Sequence, residues 1–431
     1  MQRIITYKNQ SWIDWITMIL LIANTANSFF YQSVEMLFLS FVVLLALWFI
    51  KEGDRTKLNS YFWIYVAILT CLQACQSLVY HMFPLKTFLG EYLRIALAVL
   101  AICILGQRFF DQFVKFVYVF AVISLFFYIP CMLVKSLGPF LVQHVAKHMM
   151  SPFSRGDIAD FYASHENMII FNLGQIDLHR NSGFYWEPGT HGGFLVLALF
   201  INLFYRKEKW TSRINMVFLF TIMTTLSTTT YLAVFFVVLA SLKEYFIKRP
   251  WISFSLLLII AGGAVLLYNK LDFLNKKIDQ QIEKSDKGVA GESRFGSLLT
   301  DIHMVSEHPL IGTGRNMEMK FGKNVANLPL KLLHRNNGIG VLLSTYGILF
   351  FFYFFYLNWL GFFKLLGNKT NATLLLVLLL IIGFSEDYFF KAFFIALPLY
   401  CGITVTPMPR IVILRSNKLR LGKTPLIYEY H

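Results

Sequence analysis

Charge is scarce in this chain. Only 15% of its 431 residues are Asp, Glu, Lys or Arg, while 56% are hydrophobic and 17% aromatic. So little charge cannot solvate the surface of a water-soluble protein this large. Alternating ten-residue strand patterns are absent, which excludes a transmembrane β-barrel. Cysteine is rare: Cys71, Cys75, Cys103, Cys131 and Cys401 all fall in apolar runs, which excludes a disulfide framework between polar loops. Cys71 and Cys75 share a helix face, but ordinary apolar packing explains them better than a two-thiol metal site. There is no Asp-x-Asp motif and no His/Cys cluster of ligand spacing, so the sequence supports no bound metal and no cofactor. No small-residue cleavage site follows the first apolar segment, and Asp14, Asn24 and Asn27 interrupt it. It therefore reads as a retained helix rather than a signal peptide.

What the chain has in abundance is long apolar runs. A helix needs roughly 20 largely apolar residues to cross a bilayer. Such runs occur near 12–31, 34–50, 61–80, 90–106, 113–135, 189–205, 213–226, 228–246, 251–268, 337–363, 372–385 and 388–405. They predict an all-α polytopic membrane protein with about twelve transmembrane helices, the short runs 213–226 and 372–385 being readable also as parts of broken or re-entrant helices. The organisation expected is N-terminal membrane helices over 1–135, a loop over 136–188, central helices over 189–268, a second loop over 269–336, C-terminal helices over 337–405 and a basic tail over 406–431.

Basic residues orient this arrangement. With the N-terminus cytoplasmic, the inner segments hold Lys51, Arg55, Lys57, Arg108, Arg206, Lys207, Lys209, Arg213, Lys243, Lys248, Arg249, Lys364 and Lys369, and the tail adds Arg410, Arg415, Lys418, Arg420 and Lys423. The short outer turns hold only Lys86. That asymmetry places both termini in the cytoplasm and both long loops outside. It also accounts for the net charge of +15, with anionic membrane lipids as the partner and no need for nucleic acid.

The two outer loops are too apolar for disorder, and loops of this length are usually functional. In the first, Phe140-Leu141-Val142, Phe161-Tyr162 and Met168-Ile169-Ile170-Phe171 suggest short interfacial helices. In the second, Phe295, Leu298, Leu299, Ile302 and Val305 share a face of an amphipathic helix that stops before His308-Pro309. Arg294 opens that helix, where free amides and the dipole favour anions. It reads either as a phosphate ligand or as a residue that pairs with Glu292 or Asp301 or simply faces solvent. Gly312-Thr313-Gly314 reads first as a turn and second as a set of ligand-facing amides.

The run from Arg180 to His191 leads into the sixth span. Trp186 and Tyr185 suit an interface belt, and Pro188 suits the first helical turn, so Glu187 falls at the cap or the residue next to it, a costly place for a carboxylate without water, a partner or a task. Arg94 sits just inside the fourth span, either snorkelling or paired with Glu91, or lining a polar cavity. Glu386, Asp387 and Lys391 crowd the last outer turn as counter-charges for a basic cavity. His334 ends the second loop, titratable near neutral pH, and reads either as a cap of the tenth span or as a proton acceptor at the membrane surface.

In order, the chain presents Arg180-x-x-Gly183-x-x-x-Glu187-Pro188, Leu226-Ser227-Thr228-Thr229-Thr230, Ser293-Arg294, His308-Pro309-Leu310-Ile311-Gly312-Thr313-Gly314, His334 ahead of Gly338, and Ser344-Thr345-Tyr346-Gly347-Ile348-Leu349. Over 180–363 this order resembles the O-antigen polymerase and ligase superfamily. The resemblance implies a membrane glycosyltransferase of GT-C-like architecture that uses a polyprenyl-pyrophosphate-linked oligosaccharide as donor on the outer face of the plasma membrane. A second lipid-linked repeat is the implied acceptor, and a chain-length regulator an accompanying partner. Carried over by position, it implies Arg180 and Arg294 as pyrophosphate ligands and His334 as the catalytic residue. Arg94, Glu187, Arg335 and Asn336 are further substrate-binding candidates. Many relatives place Asn directly after the histidine, whereas here Arg335 intervenes before Asn336 and Asn337. A polymerase of O-antigen or capsule repeats is the leading expectation, with a ligase to lipid A core and a lipid-linked oligosaccharide flippase as alternatives.

Overall fold

A computed structural model describes residues 12–31, 33–51, 57–149, 166–243, 294–315 and 337–404. The expected span at 251–268, the residues Phe161-Tyr162, His334, Arg335 and Asn336, and the basic tail lie outside the described residues.

Among those described, the regular structure is helical apart from a two-residue antiparallel pair, Lys57–Leu58 with Ile403–Thr404, and the isolated bridge Asn167–Asn172. The helices are α1 (Trp12–Ala26), α2 (Val34–Ile50), α3 (Ser60–Val79), α4 (Leu85–Leu105), α5 (Phe109–Leu133), α6 (Leu137–His144), α7 (Pro188–Phe204), α8 (Arg213–Thr225), α9 (Thr228–Ser241), α10 (Arg294–Glu307), α11 (Gly338–Leu366), α12 (Lys369–Ser385) and α13 (Ala392–Leu399). Many starts follow from polar caps that accept an orphan amide. Ser33 accepts from Met36 at 3.1 Å, Asn59 from Tyr61 at 3.0 Å and Asn337 from Gly340 at 2.9 Å. Pro188 opens α7 at its first turn, and Gly367, with φ 64°, closes α11.

Three stretches are long and apolar enough to cross a membrane: α3, the run Leu85–Leu133 that the turn Gly106–Arg108 divides into α4 and α5, and α11. Seven shorter apolar helices accompany them. Their outward side chains are themselves large and apolar, as at Phe38, Phe49, Trp63, Leu78, Phe126 and Phe352. This is the surface of a helical protein whose solvent is lipid. The core is aromatic. Phe393 of α13 stacks on Phe113 of α5 at 4.6 Å, Phe194 of α7 on Tyr185 at 4.7 Å, and Phe394 on Tyr388 at 4.5 Å. Every residue of α13 is buried, and its Phe393 amide donates to Thr25 Oγ1 of α1 at 2.8 Å.

Two ends of the bundle are chemically distinct. At one, Asp14 of α1 accepts from Arg108 and Lys51, and Asp111 of α5 pairs with Arg206 after α7 at 3.3 Å. At the other, the Trp186 amide donates to Ala26 O at the tail of α1, and Asn181 reaches Thr224 near the tail of α8. The first end gathers the basic loops, and the second gathers the heads of α7, α10, α11 and α13.

Three local expectations meet different structures. Residues 168–171 form a turn, not a helix: Asn167 and Asn172 bridge across it, and Ile169 takes φ 67°. The face of α10 that packs inward is Ser297, Asp301 and Val305, whereas Leu299 and Ile302 are exposed. α10 lies on α11, where Ser344 donates to Asp301 at 2.7 Å and Gly340 leaves room for that carboxylate. Apolar periodicity marks the buried face only where the other medium is water; beside lipid, small and polar residues make the helix contact. Finally, α11 is broken at Gly347, φ 79° and ψ 176°. The Gly312-Thr313-Gly314 turn fills the break: Thr313 and Gly314 amides donate to Ser344 O and Thr345 O at 2.8 and 3.0 Å, and the Ile348 amide donates to Pro309 O at 2.8 Å. The turn's amides are thereby spent on α11, which leaves the first of its two sequence readings.

Candidate functional site

The head of α7 is built by its approach loop. Gly183 takes φ +55°, and its missing side chain lets the His191 ring sit against it: a Cβ there would fall 2.5 Å from His191 Cε1. Asn181 fixes the loop by donating to Ser124 Oγ of α5 and Thr224 Oγ1 of α8. Arg180 is thereby held over the α8–α9 junction, where its Nε donates to Thr225 O at 3.3 Å. Glu187 is the N-cap residue of α7, as expected, yet its side chain caps no amide.

Instead Glu187 turns towards Glu386, the residue that closes α12. Both carboxyl groups place an Oε1 against Gly189, where a Cβ would lie 3.0 Å from that of Glu187 and 2.9 Å from that of Glu386. Glu386 also accepts from Arg294 Nη2 at 3.2 Å, while Arg294 Nε donates to Ser385 O at 2.9 Å. Arg294 thus heads α10 as expected, and it is bonded to Ser385 and Glu386 at the end of α12, while Glu292 lies outside the described residues. The counter-charge role foreseen for Glu386 is the one seen. Asn337, three residues beyond His334 in the chain, donates to Arg294 O at 3.3 Å, and Gly338 packs on the Glu386 backbone. Lys391, at the head of α13, lies 5.8 Å over the Trp186 ring.

Charge inside this cluster is strongly coupled. Burial pushes the Glu386 carboxyl well above the usual carboxylate range, the neighbouring Glu187 pushes it further, and Arg294 opposes both. Burial lowers the Arg180 guanidinium; Glu187 opposes that, and Arg294 adds to it as a like charge. The site therefore brings two guanidinium groups from separate loops beside one carboxyl pair. That arrangement can hold a multiply charged anion through charge-assisted hydrogen bonds.

A second polar centre went unforeseen. Glu91 of α4 accepts from Gln73 Nε2 of α3 at 2.5 Å, Tyr346 OH of α11 at 2.7 Å and Arg315 Nε at 2.7 Å. Arg315 follows the Gly312-Thr313-Gly314 turn, and its guanidinium lies 4.0 Å over the Phe390 ring. Arg94, on the same helix as Glu91, is half-buried with its guanidinium near Gly90. The one available sequence signal was the pairing of a lone acid inside an apolar span with a base just after a glycine turn. Among the described residues, no group of three or more His, Cys, Asp or Glu is arranged to hold a metal ion.

No protein-family model matches this chain, and no curated protein matches it in sequence.

Proposed function

We propose that this protein is a membrane glycosyltransferase that polymerises surface polysaccharide, moving a polyprenyl-diphosphate-linked glycan onto the hydroxyl of an acceptor sugar. The observation that carries the reading is the convergence of Arg180 and Arg294 from two separate loops beside Glu187 and Glu386. In the twelve-span arrangement with cytoplasmic termini, this end faces outward, opposite the end where Lys51, Arg108 and Arg206 lie.

The chemistry asks little else of the protein. The acceptor oxygen attacks the anomeric carbon as the bond to the diphosphate breaks, its electron pair leaving with the diphosphate and the configuration inverting. Arg180 and Arg294 stabilise the charge that grows on the leaving group. His334 takes the acceptor's proton, a role suited to an imidazole near neutral pH. The chain returns from His334 to Asn337, which touches Arg294. A ligase would differ only in its acceptor, a lipid A core in place of a repeat unit.

One observation favours a second reading. A helix broken at Gly347 and a Glu91–Arg315 pair buried in the bundle are features of transporters, so a flippase for the same lipid-linked glycan is the competing function. Purified protein given polyprenyl-diphosphate oligosaccharide in detergent separates the two. Lengthening of the glycan, lost in a normally inserted His334→Ala variant, is the expected result. Wild-type lengthening by that variant would remove the proposed base, and no lengthening by the native protein would favour the transporter.

A further inference from the structure

The anion site already holds an anion, and it belongs to the protein. Glu386 is 7% exposed, lies 3.2 Å from Arg294 Nη2 and shares the space over Gly189 with Glu187 at the head of α7. Glu187 does not cap α7, although its position offers free amides. Glu386 thus sits on Arg294, with a second carboxyl group beside it.

We propose that Glu386 is a built-in competitor for the diphosphate: it neutralises Arg294 until the ligand arrives, and once displaced it takes up a proton. The inference rests on the reading of Arg180 and Arg294 as diphosphate ligands. Beside Arg294, Glu386 stands as the carboxylate of an ion pair. A diphosphate drawn to Arg294 removes the cation that stabilised that charge and brings negative charge of its own. A buried carboxylate stripped of its cation binds a proton rather than stay ionised. Binding and proton uptake are therefore linked, and where one proton is taken up the affinity falls about tenfold for each unit rise in pH.

Among the described residues, the charged and titratable groups that act on Glu386 are Arg294 from α10, Arg180 and Glu187 from the loop before α7, and Tyr388 two residues on. Lys391 at the head of α13 lies over the Trp186 ring. Tyr231 of α9 acts on Arg180, and Asp387 on Arg315, through their fields. His191 is turned away, its Nδ1 against Asn181 O and its ring against Gly183 and Tyr185.

The test is calorimetric binding of inorganic diphosphate to the full-length protein in nanodiscs. It is run in two buffers of different ionisation heat, near neutral pH and about one unit above, with Glu386→Gln as the comparison so that the ligand's own titration cancels. The native protein should take up about one proton more than Glu386→Gln on binding. Glu386→Gln should bind about tenfold tighter or more at the higher pH, because the competitor's charge is gone. Should Glu386→Gln fail to fold, Glu386→Ala decides, since it too removes the carboxylate that the diphosphate displaces and should lose the same uptake. Equal affinity and equal uptake in native and variant protein would overturn the inference. If Arg294→Ala nonetheless abolishes binding, the anion site stands without its competitor. If the native protein binds no diphosphate at all, the proposed function falls together with the inference.

Discussion

Replacing Glu91 by Gln should destabilise the fold by about 3 kcal/mol, and the structure says where that cost arises. Glu91 is 4% exposed and accepts from Arg315, Gln73 and Tyr346. Gln keeps the shape but loses the charge, so Arg315, with only 20% of its side chain exposed, becomes a buried cation without its counter-ion. Breaking a buried pair in this one-sided way costs about 3–5 kcal/mol, and the exposed fifth of Arg315 argues for the lower end. The Gln amide nitrogen must also find an acceptor, either the Tyr346 hydroxyl oxygen or a flipped Gln73 amide. Arg315→Met removes the cation and its contact with Phe390, worth about 0.5–2 kcal/mol, and leaves the carboxylate with two neutral donors. The double variant leaves neither charge unpaired, so its cost should fall short of the sum of the singles by about 2 kcal/mol or more. Unfolding in mixed micelles, followed through Trp fluorescence, gives the cycle. Single variants within about 0.5 kcal/mol of the native protein, or a double variant that is simply additive, would refute the idea that Glu91 and Arg315 act as one unit.

Arg180→Ala and Arg294→Ala should each lower glycan transfer by about 10²–10³-fold with insertion unchanged, and Arg→Lys at either position should restore only part, because a point charge replaces a planar fork; single-turnover rates check this. Gly183→Ala and Gly347→Ala should each cost about 2 kcal/mol or more, since both glycines have positive φ and a Cβ would fall 2.5 Å from His191 Cε1 and 2.4 Å from Leu310 O. Gly367→Ala, at φ +64° with nothing within 4 Å, should cost only about 1 kcal/mol in the same unfolding assay. Thermal stability should fall as pH rises through the Glu386 titration. Its folded-state pKa is raised by burial and by Glu187, so the folded state binds that proton more tightly than the unfolded chain. The resulting stabilisation is complete below the unfolded carboxylate range, near about pH 4, and is lost as the folded carboxyl ionises. Glu386→Gln should flatten that dependence, as pH-dependent melting curves in nanodiscs would show.

Much of the helix layout is legible in the sequence because length and apolarity are local properties. The run at 34–50 coincides with α2, and the loop helix starts at Arg294 and ends before His308. The meeting of Arg180, Glu187 and Arg294 was foreshadowed by their residue types at helix mouths, where an unpartnered charge is costly. What stayed hidden depends on distant neighbours. Arg315 and Glu91 are 224 residues apart, and nothing near either announces the other. The break at Gly347 exists because the Gly312-Thr313-Gly314 turn supplies amides to the freed carbonyls. The inward face of α10 was hidden for a related reason: Ser297 and Asp301 look solvent-seeking until Gly340 and Ser344 of α11 are set against them.

The most direct test of the central claim is reconstitution of purified protein with a polyprenyl-diphosphate oligosaccharide as both donor and acceptor, without nucleotide sugar. Glycans lengthened by whole repeat units, with release of polyprenyl diphosphate and abolition in Arg294→Ala, are the predicted result. Unchanged glycans and unchanged carrier under conditions where the protein binds the lipid, or lengthening that survives loss of both Arg180 and Arg294, would contradict it.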